Sequence, residues 1–366
     1  MVQARTLLIY VARNYLNGLV GAAMVVGTLL LLFDIIEMMR QTAAQDVGMD
    51  TVFFMAFYRL PMAFQNALPF VFMAGAMLVF WRLARSSELV VIRSAGFSVW
   101  QFLAPVLLLV FGLGVVAVTL LNPIAADFYV RYETMERELE IGDITPMKVS
   151  KGGMWLRESF DEHQVVLHAP SVRQRNETFV MDNVVVFVYE EETKFLRRID
   201  ATEAELIDGQ FVLRDVSIVE PGQLPFPQPS YTLETGLTLT RIEQNFSPPD
   251  TVSFWELPSH IEFFEAAGFS AHVHEMHLYS LIAGPFLFIA MVLVAAVFSL
   301  KPSQRSVNWL FRVIGCVAAG FAVYFFSRIT YTLGSSQTLP VILAAWSPAV
   351  VTTFTGLAML FHLEDG

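Results

Sequence analysis

Three histidines and a glutamate lie close together, at His272, His274, Glu275 and His277. Imidazole and carboxylate groups can bind zinc, so this cluster is the first candidate for a chemical site. On a helix, His274 and His277 share a face while His272 points elsewhere, and no further ligand completes a tetrahedral set. We interpret the cluster as polar residues at the edge of a membrane-spanning segment and predict no metal site there.

No other group of side chains has the spacing of a catalytic centre. The sequence lacks the phosphate-binding pattern G-x-x-x-x-G-K-[ST], a Ser-His-Asp arrangement and the zinc-protease pattern H-E-x-x-H. Its one cysteine, Cys316, excludes an intrachain disulfide and a thiolate metal site. We therefore predict a protein that is not an enzyme, with no catalytic residue, no cofactor and no nucleic-acid partner. If it drives active transport, ATP hydrolysis must take place in another polypeptide.

Three arginines offer a different chemistry, the binding of an anionic group. Arg40, Arg59 and Arg328 all fall at the outer membrane boundary in the topology derived below. Each one alone is explained as a side chain whose guanidinium reaches the aqueous interface. Together they could ring the mouth of a cavity and hold a lipid headgroup by charge-assisted hydrogen bonds.

An apolar cavity beside these arginines would take acyl chains. The second apolar segment is interrupted by Gln65 and Asn66, and polar groups at membrane depth are costly unless they face protein or water. The outer half of that segment is therefore expected to line a cavity. The predicted lining residues are Phe33, Gln65, Asn66, Phe70, Phe321 and Phe325.

Residues 82–99, between two long apolar runs, are the element on which the other predictions depend. Arginines outnumber the one acid, Glu88, so the stretch is placed in the cytoplasm. Ser86 or Ser87 can cap a short helix at about 86–96, and Gly96 can end it. Its apolar stripe fits two interpretations: a helix lying on the membrane surface, or a coupling helix seated in a cleft of a separate ATPase.

Composition assigns the chain to the membrane class. It has 366 residues, of which 55% are apolar and 32 are Phe, and its mean hydropathy is +0.54. About 20 apolar residues span a bilayer. The first such run is too long for a cleavable signal peptide and is expected to remain. The predicted spans are 16–36, 52–81, 100–121, 276–300, 307–327 and 339–361, and the Lys/Arg distribution puts both termini in the cytoplasm.

Residues 122–274 differ in character from the rest. They carry 12 basic and 26 acidic side chains, a net charge of −14, which leaves +3 for the remainder. After Pro146 the hydrophobic period changes to two, and short runs are separated by Gly, Pro, Asp and Asn. The strands predicted from these runs are 148–150, 153–157, 163–168, 183–189, 195–204, 211–219 and 231–240. This pattern predicts an antiparallel β-sandwich or jelly roll. The fold class is therefore a membrane α-helical protein with six spans, arranged 3+3, and an inserted external all-β domain. The predicted domains are 1–121, 122–274 and 275–366.

The segment from Arg85 to Phe97, R-S-S-E-L-V-V-I-R-S-A-G-F, resembles a known family in this setting. Together with the 3+3 spans around a β domain and the C-terminal A-W-S-P and L-E-D-G, it is similar to the LptF/LptG family of lipopolysaccharide export permeases, more to its LptG branch. The resemblance covers the whole chain and implies that the inserted all-β domain is a periplasmic jelly roll. It implies an inner-membrane ABC transporter permease that extracts lipopolysaccharide from the outer leaflet and passes it to a periplasmic β-jellyroll bridge.

The resemblance also implies partners and residue roles. The partners are a second, LptF-like permease, a cytoplasmic LptB-like ABC ATPase dimer, an LptC/LptA-like periplasmic β-jellyroll protein and lipopolysaccharide. Glu88 occupies the position of the family's coupling-helix glutamate and would pair with the ATPase. The ATPase-coupling residues that we predict are Arg85, Glu88, Leu89, Ile92, Arg93, Gly96 and Phe97.

One departure and two alternatives accompany this resemblance. The outer end of the first span is basic in some relatives, but here it contains Asp34 and Glu37, which moves our headgroup prediction to Arg40 and Arg59. A mechanotransmitting permease-like protein or membrane scaffold, which moves partners but transports no lipid, is the main alternative. Such proteins usually have four spans with the large domain after the first, whereas here it follows the third. A receptor-like binding protein without an ATPase is the other alternative.

Overall fold

The computed structural model describes residues 2–43, 47–94, 96, 98–139, 147–150, 153–160, 163–175, 178–190, 194–207, 209–235, 248–266, 271–300 and 309–365. The chain divides into two compact units. The helical unit comprises Met1–Glu133, Ser253–Pro258 and His272–Gly366, and the β unit comprises Thr134–Val252 and Ser259–Ala271. Residues 122–133 fall with the helices because the helix that contains them, Asn122–Glu138, continues the third span.

The described part of the chain contains six helices that are long and apolar enough to cross a membrane. They are formed by α1, α2, α4 with α5, α7, α8 and α9. This confirms the predicted 3+3 spans around an inserted β domain. The helices are α1 Val2–Gln41, α2 Met49–Arg85, α3 Glu88–Ser94, α4 Val99–Val116, α5 Asn122–Glu138, α6 Leu257–Ala266, α7 His272–Ser299, α8 Trp309–Ser335 and α9 Val341–Asp365, with a π-helical segment at Ala117–Leu121.

Small residues let the spans pack closely where they cross. A Cβ atom on Gly75 of α2 would lie 2.9 Å from the Cα atom of Leu19 in α1. A Cβ atom on Gly114 of α4 would lie 2.9 Å from the Cα atom of Pro285 in α7. Both distances are too short for a real carbon contact, so glycine is required at these two crossings, as is common between membrane helices.

The π-helical segment in the third span has an identifiable cause. An α-helix would pair the carbonyl oxygen of Thr119 with the N–H of residue 123, but Pro123 has none. The indole N–H of Trp255 donates to the Thr119 oxygen instead, at 3.0 Å. Beside it, the backbone N–H of Phe254 donates to the side-chain oxygen of Asn122, at 2.8 Å. The segment 253–258 is thus fastened to the outer end of the third span.

The described strands of the β unit form one antiparallel sheet with the order β1-β2-β3-β5-β6-β7-β8, and β4 also pairs with β5. Strand order was not predicted from the sequence, and neither was β4 as a separate strand. The predicted strand 231–240 is β8 as far as Glu234, and residues 236–240 lie outside the described residues. The strands are β1 Met147–Ser150, β2 Gly153–Phe160, β3 His163–Ala169, β4 Ser171–Arg175, β5 Thr178–Glu190, β6 Lys194–Ile207, β7 Gln210–Val219 and β8 Phe226–Glu234.

A single line of residues crosses this sheet from strand to strand. The pairing registers place Pro170, Asn183, Thr202, Asp215 and Pro229 opposite one another in that order. Asn183 and Asp215 adopt positive φ angles of 53° and 50°. We call this row the crease. β4 continues the register of β3 beyond the crease, so the two are one strand interrupted at Pro170.

The crease changes which side chains are buried. On either side of it the residues that form the core of the β unit alternate with a period of two, but across it their spacing is three. The inner face therefore stays continuous while the side-chain alternation shifts by one residue. The pairs that flank the crease are Met181 and Val184, Ala201 and Ala204, and Leu213 and Val216. The core of this face also includes Phe264 of α6, which is 5% exposed.

Candidate coupling and lipid-binding sites

The short helix α3 is bounded by backbone geometry that the sequence signals. Ser86 ends α2, and Ser87 adopts a φ of 61°, which turns the chain away from the axis of α2. The carbonyl oxygen of Ser87 then accepts hydrogen bonds from the N–H groups of Val90 and Val91, at 3.1 and 3.2 Å, so a new helix begins at Glu88. Gly96, with a φ of 86°, lies just beyond its end. Both predicted signals, the serines and the glycine, lie at the ends of α3.

Burial divides α3 into two faces. Leu89 and Ile92 are each 8% exposed and belong to the core of the helical unit. Val90 and Val91 are each 65% exposed. Leu89 and Ile92, both in the predicted coupling set, therefore hold α3 against its own chain. The valine pair, absent from that set, is the apolar surface open to a partner. The apolar stripe of an amphipathic helix faces the core of its own chain. That rule could have indicated that the residues on the opposite face are the ones available to a partner.

Glu88 is oriented by two hydroxyl groups. The Tyr10 hydroxyl, on α1, donates to its Oε2 atom at 2.8 Å. The Ser86 hydroxyl donates to its Oε1 atom at 2.9 Å. The guanidinium of Arg85 lies 5.4 Å from the ring centre of Trp81. Arg85 and Gly96 are exposed and Glu88 is half-buried, whereas the Arg93 side chain and Phe97 lie outside what the structure describes.

At the outer boundary, Arg59 of α2 connects three helical segments. Its guanidinium lies 3.5 Å from the carboxylate of Asp34 on α1 and 5.8 Å from the ring centre of Tyr132 on α5. The Asp34 side chain is 13% exposed and that of Arg59 is 34% exposed. The sequence contained both residues but not their pairing, which depends on how α1 and α2 cross.

The other two predicted headgroup residues differ in their surroundings. Arg40 donates to both carboxylate oxygens of Glu37, at 3.0 and 2.6 Å. Arg328 of α8 is exposed and forms no ion pair with any residue that the structure describes. Within the same residues, no contact joins the three arginines to one another. Arg328 therefore has the guanidinium most available to an external anion.

The predicted cavity residues are only partly brought together. The Phe70 ring of α2 lies 5.4 Å from the Phe321 ring of α8, measured between centroids. Phe325, one turn further along α8, is 61% exposed, and Phe33 on α1 is 67% exposed. Gln65 is half-buried, with a side-chain oxygen that has no hydrogen-bond partner among the described residues, and Asn66 is exposed.

Spans one and five have the least buried surfaces. Within their most apolar windows only 17% and 11% of residues are buried, compared with 61% for span four. A membrane helix so poorly covered by its own chain has a face for lipid or for another subunit. Phe33 lies on the first of these helices, and Phe321, Phe325 and Arg328 lie on the second.

The histidine cluster has a simple arrangement. The Nδ1 atom of His272 lies 3.0 Å from a carboxylate oxygen of Glu275. His274 and His277 are buried. No group of three metal-ligating side chains was found in the described ranges. The absence of a metal site remains a prediction.

Comparison with known proteins now gives these sites a context. A model of the family "Lipopolysaccharide export system permease LptF/LptG" matches residues 9–362. The chain is 23% identical over 354 residues to lipopolysaccharide export system permease protein LptG of Haemophilus influenzae, covering 93% of this chain and 94% of the relative. It is also 23% identical over 312 residues to the LptG of Escherichia coli K12, covering 83% of each. These matches span the membrane helices, α3 and the inserted sheet alike, so the chain belongs to the LptF/LptG family of lipopolysaccharide export permeases.

Proposed function

We propose that this inner-membrane permease subunit extracts lipopolysaccharide from the outer leaflet of the inner membrane and passes it to a periplasmic β-jellyroll bridge. The energy comes from ATP hydrolysis in a separate subunit that moves α3. The observation that carries the proposal is the exposed face of α8. It combines an aromatic surface with a guanidinium at its outer end.

That face matches the chemistry of an amphipathic, anionic lipid. Phe321, Phe325 and Arg328 follow one another at spacings of four and three, so they share one side of the helix. The two rings are 50% and 61% exposed, and Arg328 has no acidic partner among the described residues. Acyl chains would contact the rings, and a headgroup phosphate would accept hydrogen bonds from the guanidinium.

The exposed face of α3 supports an ATPase contact. Val90 and Val91 present apolar surface, and Glu88 beside them presents a carboxylate with a fixed orientation. A cleft in the ATPase that buries the valines and supplies a basic residue to Glu88 would fit this face. The interaction would hold α3 by the same combination of apolar anchor and polar contact that is found in other interfaces.

The remaining partners follow from surfaces that the chain leaves uncovered. An LptF-like permease would face spans one and five, which are the least buried. An LptB-like ATPase dimer would bind α3. An LptC/LptA-like jelly-roll protein would receive the lipid from the β unit by adding its own strands to an edge of the sheet.

The test is the lipid content of the purified complex. The chain is co-expressed with the second permease and the ATPase, and native mass spectrometry measures bound lipopolysaccharide. Arg328→Gln should lower the bound fraction about tenfold, because it removes a charge-assisted contact. Arg131→Gln is the matched control, since Arg131 is also exposed but already pairs with Asp127 at 3.1 Å. It should stay within about twofold of wild type.

The same measurement separates the alternatives. A complex that retains the ATPase but holds no lipopolysaccharide would favour a mechanotransmitting protein. A chain that holds the lipid without any ATPase would favour a receptor. Equal losses in Arg328→Gln and Arg131→Gln would contradict the proposed role of the α8 face.

A further inference from the structure

Tyr10 joins span one directly to the coupling helix. Its hydroxyl donates to Glu88 Oε2 at 2.8 Å, across 78 positions of sequence. Leu89 and Ile92, on the adjoining surface of α3, lie in the core of the helical unit. The coupling helix is therefore held by two kinds of contact, apolar packing in the core and a hydrogen bond to span one.

Both donors to Glu88 are neutral hydroxyl groups. Tyr10 occupies one carboxylate oxygen and Ser86 the other, and no ion pair to Glu88 occurs among the side chains that the structure describes. Neutral donors orient the carboxylate without neutralising its negative charge. Glu88 can therefore accept a basic group from a partner while it remains bonded to Tyr10.

Span one can carry a displacement across the membrane. α1 is a continuous helix from Val2 to Gln41. Tyr10 lies near its inner end, and Asp34, which pairs with Arg59, lies near its outer end. At the rise of an α-helix these two positions are about 36 Å apart. A movement applied at Tyr10 thus reaches the outer boundary through one rigid element.

We infer that Tyr10 is a positioning residue that relays movement of α3 to span one, and through it to the Asp34–Arg59 contact at the outer boundary. The inference rests on the proposed function, because it assigns the route by which the ATPase acts on the lipid-facing helices. Tyr10 itself touches neither nucleotide nor lipid in this scheme. Its hydroxyl makes span one follow the coupling helix.

The first test compares two variants that each remove one hydroxyl donor from Glu88. The full complex is reconstituted in liposomes, and lipopolysaccharide delivered per ATP hydrolysed is measured. Tyr10→Phe should lower this ratio about fivefold while the ATPase still co-purifies. Ser86→Ala also removes a hydrogen bond to Glu88, but Ser86 does not contact span one. The ratio measured for Ser86→Ala should therefore be at least about threefold higher than the ratio for Tyr10→Phe. Tyr279→Phe, the same chemical change on span four, is the control.

The second test measures movement without relying on lipid. In a Cys316→Ala background, spectroscopic labels at Ile36→Cys on α1 and Val273→Cys on α7 report the distance between the outer ends of these helices. Adding ATP should change this distance in the wild-type sequence, and Tyr10→Phe should abolish the change.

The two tests separate failure of the relay from failure of the proposed function. An ATP-dependent distance change that persists in Tyr10→Phe would overturn the relay, as would a delivery ratio equal to that of Tyr279→Phe. A wild-type complex that shows the distance change but delivers no lipopolysaccharide would overturn the proposed function and leave the relay supported.

Discussion

Pro123 shows how one residue sets a contact far away in the sequence. By withholding an N–H group it leaves the Thr119 carbonyl oxygen free, and Trp255 donates to that oxygen from beyond the β insertion. This hydrogen bond holds the chain where it returns to the third span. No sequence pattern signals it, because the donor lies 136 positions away from the acceptor.

If Trp255 replaces the missing N–H of Pro123, the cost of a substitution at Trp255 should depend on the residue at position 123. Trp255→Phe keeps an aromatic ring but removes the donor, and should lower the free energy of unfolding by about 1 kcal/mol. In a Pro123→Ala background the new N–H can pair with Thr119, so the same change should cost less. Thermal unfolding of the four proteins in detergent measures the coupling. An identical cost in both backgrounds would show that Trp255 does not serve the Thr119 oxygen.

The arginines show where prediction from residue type stops. Composition and position identified Arg40, Arg59 and Arg328 equally, but the structure pairs the first with Glu37 and the second with Asp34. The Arg40 pair is three positions apart on one helix and could have been expected. The Arg59 pair depends on the crossing of two spans, which spacing alone does not give.

At the scale of elements, we predict that one face of α3 serves folding and the other serves partner binding. Leu89→Ala removes buried surface and should lower the stability of the helical unit by about 2 kcal/mol or more. Val90→Asp with Val91→Asp changes only exposed positions and should leave the unfolding temperature close to wild type, while the amount of co-purifying ATPase falls at least about tenfold. If the double aspartate variant retains the ATPase, the valine face is not the contact.

The crease of the sheet makes a second prediction at this scale. Asn183 has a φ of 53°, which a β-branched residue adopts only with strain. Asn183→Val should therefore cost about 1–2 kcal/mol, whereas Asn183→Gly should be nearly neutral. Thr202→Val is the matched control, because Thr202 lies in the same row but is not among the residues with positive φ. Equal losses in the free energy of unfolding for Asn183→Val and Thr202→Val would mean that the crease does not depend on Asn183. Thermal unfolding of the full chain distinguishes these outcomes.

The hydrophobic period predicted most of the strands but not the crease. A period of two predicted runs that correspond to β1, β2, β3, β5, β6 and β7 and to the last part of β8. In three strands, the core residues that flank the crease are three positions apart in the sequence. Within one strand this spacing resembles a local irregularity, and only the pairing of the strands shows that the three irregularities form one row. Strand order likewise depends on long-range pairing, which no single strand encodes.

At the scale of the whole molecule, composition was sufficient to predict the class of protein, whereas the lipid-binding residues remain a prediction. The six spans and the inserted sheet were predictable because a membrane requires long apolar helices and a soluble domain does not. The uneven burial of the spans was not predictable, since spans one and five have hydropathies of 2.4 and 1.8, within the range of the others. What distinguishes them is the packing of their own chain, and their exposed faces are where we propose that lipid and the second permease bind.

The most direct test of the account is ATP-dependent transfer of lipopolysaccharide to a soluble jelly-roll acceptor. Proteoliposomes contain this chain, the second permease and the ATPase, and Glu88→Lys is compared with the wild-type sequence. We predict transfer that requires ATP in the wild type and is lost in Glu88→Lys, with the β unit still folded. Wild-type transfer by the Glu88→Lys variant, or transfer that proceeds without ATP, would contradict the claim that α3 couples a separate ATPase to the movement of lipid.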